Sequence, residues 1–264
     1  MTRRMRLVLC CVLVTASARA SLAQKAAAPA QPFVHHKTFA VFAEYSNDSS
    51  HMLMGNVQGR KFTAIGGSYA LRILAGRYGT VQYVGEIRPV IVTSDPVENL
   101  TVTESPYPTP SNPSNTSTTF YAGQAVSAGA CVPGTQIYHD STSIWWPSPV
   151  ISGETVVTTC GRRWTFATGL NPVGFKANFM PHHRIQPVLA GGIGYIFSTR
   201  PIPVTDAGSF NFAFELGAGV EMFRAQGRSL ALTWSYHHYS NKNTAPDNPG
   251  VDNGVVKLTY AFGR

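Results

Sequence analysis

The sequence predicts an all-β fold, an eight-stranded antiparallel transmembrane β-barrel. Three observations predict it. Eight segments alternate apolar and polar residues with the two-residue period of a strand, and helical periodicity is absent. The connections alternate between short and long, as periplasmic turns and outer loops do in a membrane barrel. The chain opens like an exported protein and closes on Tyr260-Ala261-Phe262, an aromatic ending of the outer-membrane type, with Gly263 and Arg264 after it. An even strand number closes the sheet and removes its edges. Alternation alone also fits a soluble lipocalin-like barrel or a sandwich with the apolar stripe turned inward. The export signal, the turn asymmetry and the terminal aromatic residues favour the membrane.

Residues 1–23 read as a signal peptide. Arg3, Arg4 and Arg6 form a basic start, and the apolar core from Leu7 to Val14 is too short to span a membrane as a helix. Ser21-Leu22-Ala23 supplies the small residues of a cleavage site, with Ala18-Arg19-Ala20 as the fallback. Leu9 and Cys10 lack the small-residue context of a lipoprotein cysteine, so Cys10 and Cys11 leave with the signal. Cleavage removes four arginines and no acid, which lowers the formal charge from +8 to +4. No Lys/Arg run remains, and nucleic acid is not an expected partner. The expected location is the bacterial outer membrane, after cleavage.

Residues 24–37 read as an N-terminal linker and 38–264 as the barrel. The first strand is expected over Thr38 to Ser46 and the second over Lys61 to Arg72, with Ile65, Tyr69 and Leu71 on one face. The third, Thr80 to Val92, sets Val81, Tyr83, Ile87 and Ile91 against Gln82, Glu86 and Arg88. The fourth, Trp164 to Phe179, changes parity near Pro172, which predicts a bulge or bend. The fifth is Ile185 to Phe197. The sixth, Phe210 to Arg224, turns Phe212, Phe214, Leu216, Val220 and Met222 outward and Asn211, Glu215 and Glu221 inward. The seventh is Ser229 to Ser240. The eighth, Gly254 to Phe262, sets Val256, Leu258, Tyr260 and Phe262 against Lys257, Thr259 and Ala261. Glu86, Arg88, Glu215 and Glu221 are expected to fill the narrow lumen as a polar network.

Residues 93–163 read as a long outer loop. Its first part is rich in Pro, Ser, Thr and Asn and reads as an extended surface segment. Cys131 and Cys160 are the remaining cysteines, so a disulfide between them is the simple assignment. Trp145 and Trp146 read as a small apolar cluster within the loop.

The seventh strand carries the chemistry. Leu230, Leu232, Trp234 and Tyr236 share one face, and His238 and Ser240 fall in phase with them. A histidine and a serine on a greasy face, with Cα atoms about 7 Å apart, suit a base and a nucleophile. Asp252 shares the parity of Val256 and Leu258 on the next strand, and can orient the imidazole. Asp247 is the competing acid, in a turn-rich loop. The bland reading is a set of interfacial polar residues at a strand end. Ser49, Ser50 and His51 form a second Ser/His cluster, read as ordinary loop. His35, His36, His182 and His183 lack the Cys or acid spacing of a metal site, and neither metal nor cofactor is expected.

His-x-Ser-Asn at 238–241, Asn-Pro-Gly at 248–250 and the acid at Asp252 resemble the PagL family of outer-membrane lipid A 3-O-deacylases. The likeness is strongest from Ser229 to Phe262. The family's triad is histidine, serine and glutamate, which the resemblance carries to His238, Ser240 and, 14 residues after the histidine, Asp252. It implies Asn248 as an oxyanion donor, with Asn241 as a second candidate. A glycine whose backbone N–H helps in the family falls at Asn243. The implied activity is a serine esterase acting on an ester-linked acyl chain of lipid A. The implied partner is lipopolysaccharide in the outer leaflet; the sequence leaves a homodimer open. Two rival readings are a non-enzymatic barrel with a structural or adhesive role and a soluble secreted lipid-binding barrel.

Overall fold

A computed structural model describes residues 33–50, 52–105, 116–125, 130–141, 151–225 and 227–263. The signal peptide, most of the linker, His51, Trp145 and Trp146 lie outside the described residues. The strands are β1 (Lys37–Ser46), β2 (Lys61–Ala75), β3 (Gly79–Ser105), β4 (Ser117–Ala125), β5 (Gly134–Ser141), β6 (Ile151–Phe179), β7 (Ile185–Ser198), β8 (Phe210–Ala225), β9 (Arg228–Ser240) and β10 (Val251–Gly263). Eight of them close a ring in the order β1, β2, β3, β6, β7, β8, β9, β10, every neighbour antiparallel. The seam joins β1 to β10, from Thr38 opposite Gly263 to Tyr45 opposite Val256.

The alternation sorts side chains by face. Leu230, Leu232 and Trp234 on β9, Val256, Leu258, Tyr260 and Phe262 on β10, and Phe212, Leu216, Val220 and Met222 on β8 are exposed on the outside. Gln82, Arg88, Asn211, Glu215, Glu221 and Lys257 are buried in the lumen. A band of large apolar side chains around a polar interior is unfavourable in water and favourable in hydrocarbon. The fold is therefore a transmembrane β-barrel, crossing with strands; no helix among the described residues is long and apolar enough to cross.

The lumen holds two charge clusters. Arg88 donates to both carboxylate oxygens of Glu44 (2.8 Å each) and to Glu215 (2.6 Å). Lys257 reaches Glu86 at 2.6 Å and Glu44 at 3.2 Å. Nearer the short turns, Glu221 accepts from Lys176 (3.0 Å), Asn178 (2.6 Å) and Ser229. Glu221 thus belongs to a cluster separate from that of Glu86, Arg88 and Glu215. The expected network did not name Glu44 or Lys257, and both are buried in it.

Bulges explain where parity slips. The β3–β6 ladder shifts register between Arg88 and Ile91, so Ile91 is fully buried while Val90 faces out. The predicted irregularity near Pro172 is a register shift between Leu170 and Val173, and the Pro172 carbonyl accepts the Tyr83 hydroxyl.

Beyond the ring, β3 and β6 stay paired up to Ser105 opposite Gly153. β4 pairs with the outer part of β3 and β5 with that of β6, giving a local order β4-β3-β6-β5. Strands thus run through much of 93–163, where composition suggested irregular chain. The β-branched runs, Thr101-Val-Thr and Thr155-Val-Val-Thr-Thr, outweigh the Pro and Asn content. The Cys131–Cys160 disulfide ties the segment just before β5 to β6.

Candidate active site

The barrel's long connections lie at one end, and the site forms there from β9, β10 and the β1–β2 connection (residues 47–60). His238 and Asp252 are direct cross-strand partners. That register places His238 Nδ1 2.7 Å from Asp252 Oδ1, so the aspartate spans the gap despite being one methylene shorter than glutamate. Facing a carboxylate, Nδ1 carries the proton and Nε2 is left as the base. Ser240 lies two residues along β9, half-buried, with Phe212 of β8 as its cross-strand partner.

Asp252 is fully buried, and four donors converge on it. Oδ1 accepts from His238 and from the Tyr236 hydroxyl at 2.7 Å. Oδ2 accepts the backbone N–H groups of Leu53 (2.7 Å) and Met54 (3.0 Å). Hydrogen bonds of this kind stabilise the charged carboxylate. Tyr236 leaves the apolar stripe for this purpose: Leu230, Leu232 and Trp234 are exposed, whereas Tyr236 is buried beneath the loop.

The β1–β2 connection wraps onto β10. Ser49 bridges to Asn253, Ser50 N–H donates to the Asp252 carbonyl (3.1 Å), and Asn56 N–H donates to the Pro249 carbonyl (2.9 Å). Ser49 Oγ donates to the Val57 carbonyl and accepts the Arg60 N–H, closing the loop on itself. Ser49 and Ser50 are therefore clamp residues. Two glycines permit the close approach. A Cβ on Gly55 would lie 2.6 Å from Asp252 N, and one on Gly250, at φ +60°, would lie 3.1 Å from His238 Cε1.

Asn241 and Asn248 organise the β9–β10 loop. Asn248 Oδ1 accepts the Asn241 N–H (3.0 Å), Asn241 Nδ2 donates to the Asp247 carbonyl (2.6 Å), and Asn248 Nδ2 donates to Asn243 Oδ1 (3.1 Å). Asn241 is buried; Asn248 is half-buried, and its amide carries a second N–H. Asn243 adopts φ +61°, the left-handed conformation that glycine adopts most easily and asparagine tolerates. Asp247 is exposed, its N–H donating to the Asp206 carbonyl. Glu44, Glu86 and Glu215 could together ligate a cation, but Arg88 and Lys257 already occupy their oxygens.

Sequence reasoning missed Tyr236 as an acid partner and missed the whole contribution of residues 52–56. Parity placed Tyr236 with its lipid-facing neighbours. The contact from Leu53 to Asp252 joins positions with no shared local pattern.

These features define a class: a transmembrane barrel with a His–Asp pair and a serine on the outer face at its long-loop end. Residues 133–261 match the family model described as lipid A 3-O-deacylase (PagL). The matched span runs from just before β5 into the last residues of β10. No curated protein matches the chain. Among solved structures, an outer membrane channel from Pseudomonas putida F1 is similar at 12% identity over 90% of this chain and 99% of that one, with a TM-score of 0.25.

Proposed function

We propose that the protein is an outer-membrane serine esterase that hydrolyses an ester-linked acyl chain of lipid A, removing the 3-O-acyl group of lipopolysaccharide. The observation that carries this reading is the 2.7 Å His238–Asp252 contact on the outward face, with Ser240 two residues along the same strand. The match to the lipid A 3-O-deacylase model over the same strands supports the substrate class.

Ser240 Oγ attacks the ester carbonyl carbon while His238 Nε2 takes the hydroxyl proton. Asp252 holds the imidazole by Nδ1 and stabilises the imidazolium that forms. The carbonyl oxygen becomes an oxyanion, and Asn248 Nδ2 is assigned as its donor. Collapse breaks the bond to the sugar oxygen, which leaves as an alcohol carrying the proton from Nε2. Water, deprotonated by His238, then attacks the acyl-serine carbonyl; the Ser240 oxygen leaves, takes the proton back from Nε2, and a fatty acid is released. An outward-facing site suits a substrate that is itself a bilayer lipid, because it diffuses laterally to the wall and enters no pore.

The test is mass spectrometry of lipid A from cells producing the chain. The expected result is loss of one ester-linked acyl group, abolished by Ser240→Ala and by His238→Ala while the barrel still assembles. Unchanged lipid A in cells with well-assembled wild-type protein, or full deacylation by Ser240→Ala, overturns the reading.

A further inference from the structure

The β1–β2 connection has two unlike faces. One is clamped onto β10 through Ser49, Ser50, Asn56 and the two amides on Asp252. Gly55 and Val57 are buried in that clamp. The other face presents Met52, Leu53 and Met54, which are 38%, 79% and 56% exposed. Residues 52–58 carry no charged side chain. Three consecutive large apolar side chains on a loop are unfavourable in water, and the loop's hydrogen bonds fix them there.

Their position tells what covers them. Leu53 and Met54 stand over Asp252, and below Asp252 the same face of β10 continues as Gly254, Val256 and Leu258. Val256 and Leu258 are exposed in the hydrocarbon-facing band. The apolar surface of the loop is thus continuous with the surface that already meets lipid. Two methionines and a leucine are unbranched or flexible, and adapt to a chain of variable shape.

We propose that Met52, Leu53 and Met54 form a lip immersed among acyl chains of the outer leaflet, and that the lip is one wall of the site for the acyl chain being cleaved. The second half of the proposal rests on the esterase reading. The same residues then serve twice: their side chains meet hydrocarbon, and the backbone of two of them holds the acid that orients His238. They are positioning and specificity residues.

Immersion is read without any turnover. A nitroxide is attached at Leu53→Cys in protein reconstituted into phosphatidylcholine vesicles, with the unsubstituted chain labelled in parallel as background. Cys131 and Cys160 are bonded to each other. The expected result is faster relaxation by dissolved oxygen than by a water-soluble nickel chelate. The reverse order places the lip in water and overturns the proposal. The wall is read by kinetics on lipid A with Met52→Ser/Leu53→Ser/Met54→Ser, which keeps every backbone donor. Loss of that hydrocarbon contact should raise KM about tenfold or more, with a smaller fall in kcat. A fall in kcat with KM unmoved, or no change at all, overturns the wall. Wild-type protein that is lipid-immersed at Leu53 yet leaves lipid A intact sinks the esterase reading alone.

Discussion

Replacing Gly55 with alanine strikes the clamp on Asp252 at its tightest point. The new Cβ would stand 2.6 Å from Asp252 N and 2.9 Å from both Cγ and Oδ1. Ordinary contact begins near 3.4 Å, so loop and strand must part by about 0.8 Å. The two amide bonds to Oδ2 are 2.7 and 3.0 Å long, and such a shift carries both to or past the limit of a hydrogen bond. A hydrogen bond to a charged group contributes roughly 1.5–3 kcal/mol. Losing one in the transition state slows turnover about 10- to 100-fold, and losing the orientation of the acid altogether approaches about 10⁴-fold. The assay is kcat on purified lipid A in detergent micelles, with heat-modifiable gel migration as the check on folding. Gly85→Ala is the control, because nothing lies within 4 Å of its added Cβ. It should keep activity within about twofold, as most unconstrained substitutions do. A folded Gly55→Ala protein with wild-type turnover refutes the idea that the loop holds the acid.

Further outcomes follow from the same geometry. Asp252→Ala should slow turnover far more than Asp247→Ala, since Asp247 is exposed and tied to Asp206 through its backbone; the opposite order in the same assay means the acid is misassigned. Tyr236→Phe removes one of four donors to Asp252 and should cost about tenfold in kcat with the fold intact, a loss of about 1.5 kcal/mol. Arg88→Ala leaves Glu44 and Glu215 buried without that cation and should destabilise the barrel by about 3–5 kcal/mol, read as a lower urea midpoint in detergent. Reducing Cys131–Cys160 should increase proteolysis within 93–163 and leave the eight-strand ring heat-modifiable; unfolding of the ring on reduction would show that the outer sheet supports it.

What the sequence disclosed follows from how strands write themselves into it. A residue's face is a local property, so alternation on β8, β9 and β10 revealed both the lipid-facing stripe and the inward Glu215 and Glu221. The His238–Asp252 pairing was legible for the same reason: both share a parity, and the strands that carry them are consecutive in the chain and antiparallel. Bulges add one residue and reverse parity, and nothing local announced the one that buries Ile91. The outer strands were masked because proline, serine and asparagine mark loops in most contexts, while the pairing of β3 with β6 rescued the Thr- and Val-rich runs. The clamp from Leu53 and Met54 was invisible for a stronger reason. It is made by backbone N–H groups, which every residue but proline carries, so no side-chain pattern could point to it.

The position of the seam has a consequence for assembly. β1 and β10 are the first and last strands, and their pairing closes the sheet into a ring. Asp252 takes its donors from both sides of that seam: Tyr236 and His238 from β9, Leu53 and Met54 from the connection that follows β1. An open sheet lacks half of them. The carboxylate acquires its full environment only in the closed ring, so a chain whose sheet is still open holds His238 and Asp252 without the two amides that Leu53 and Met54 supply.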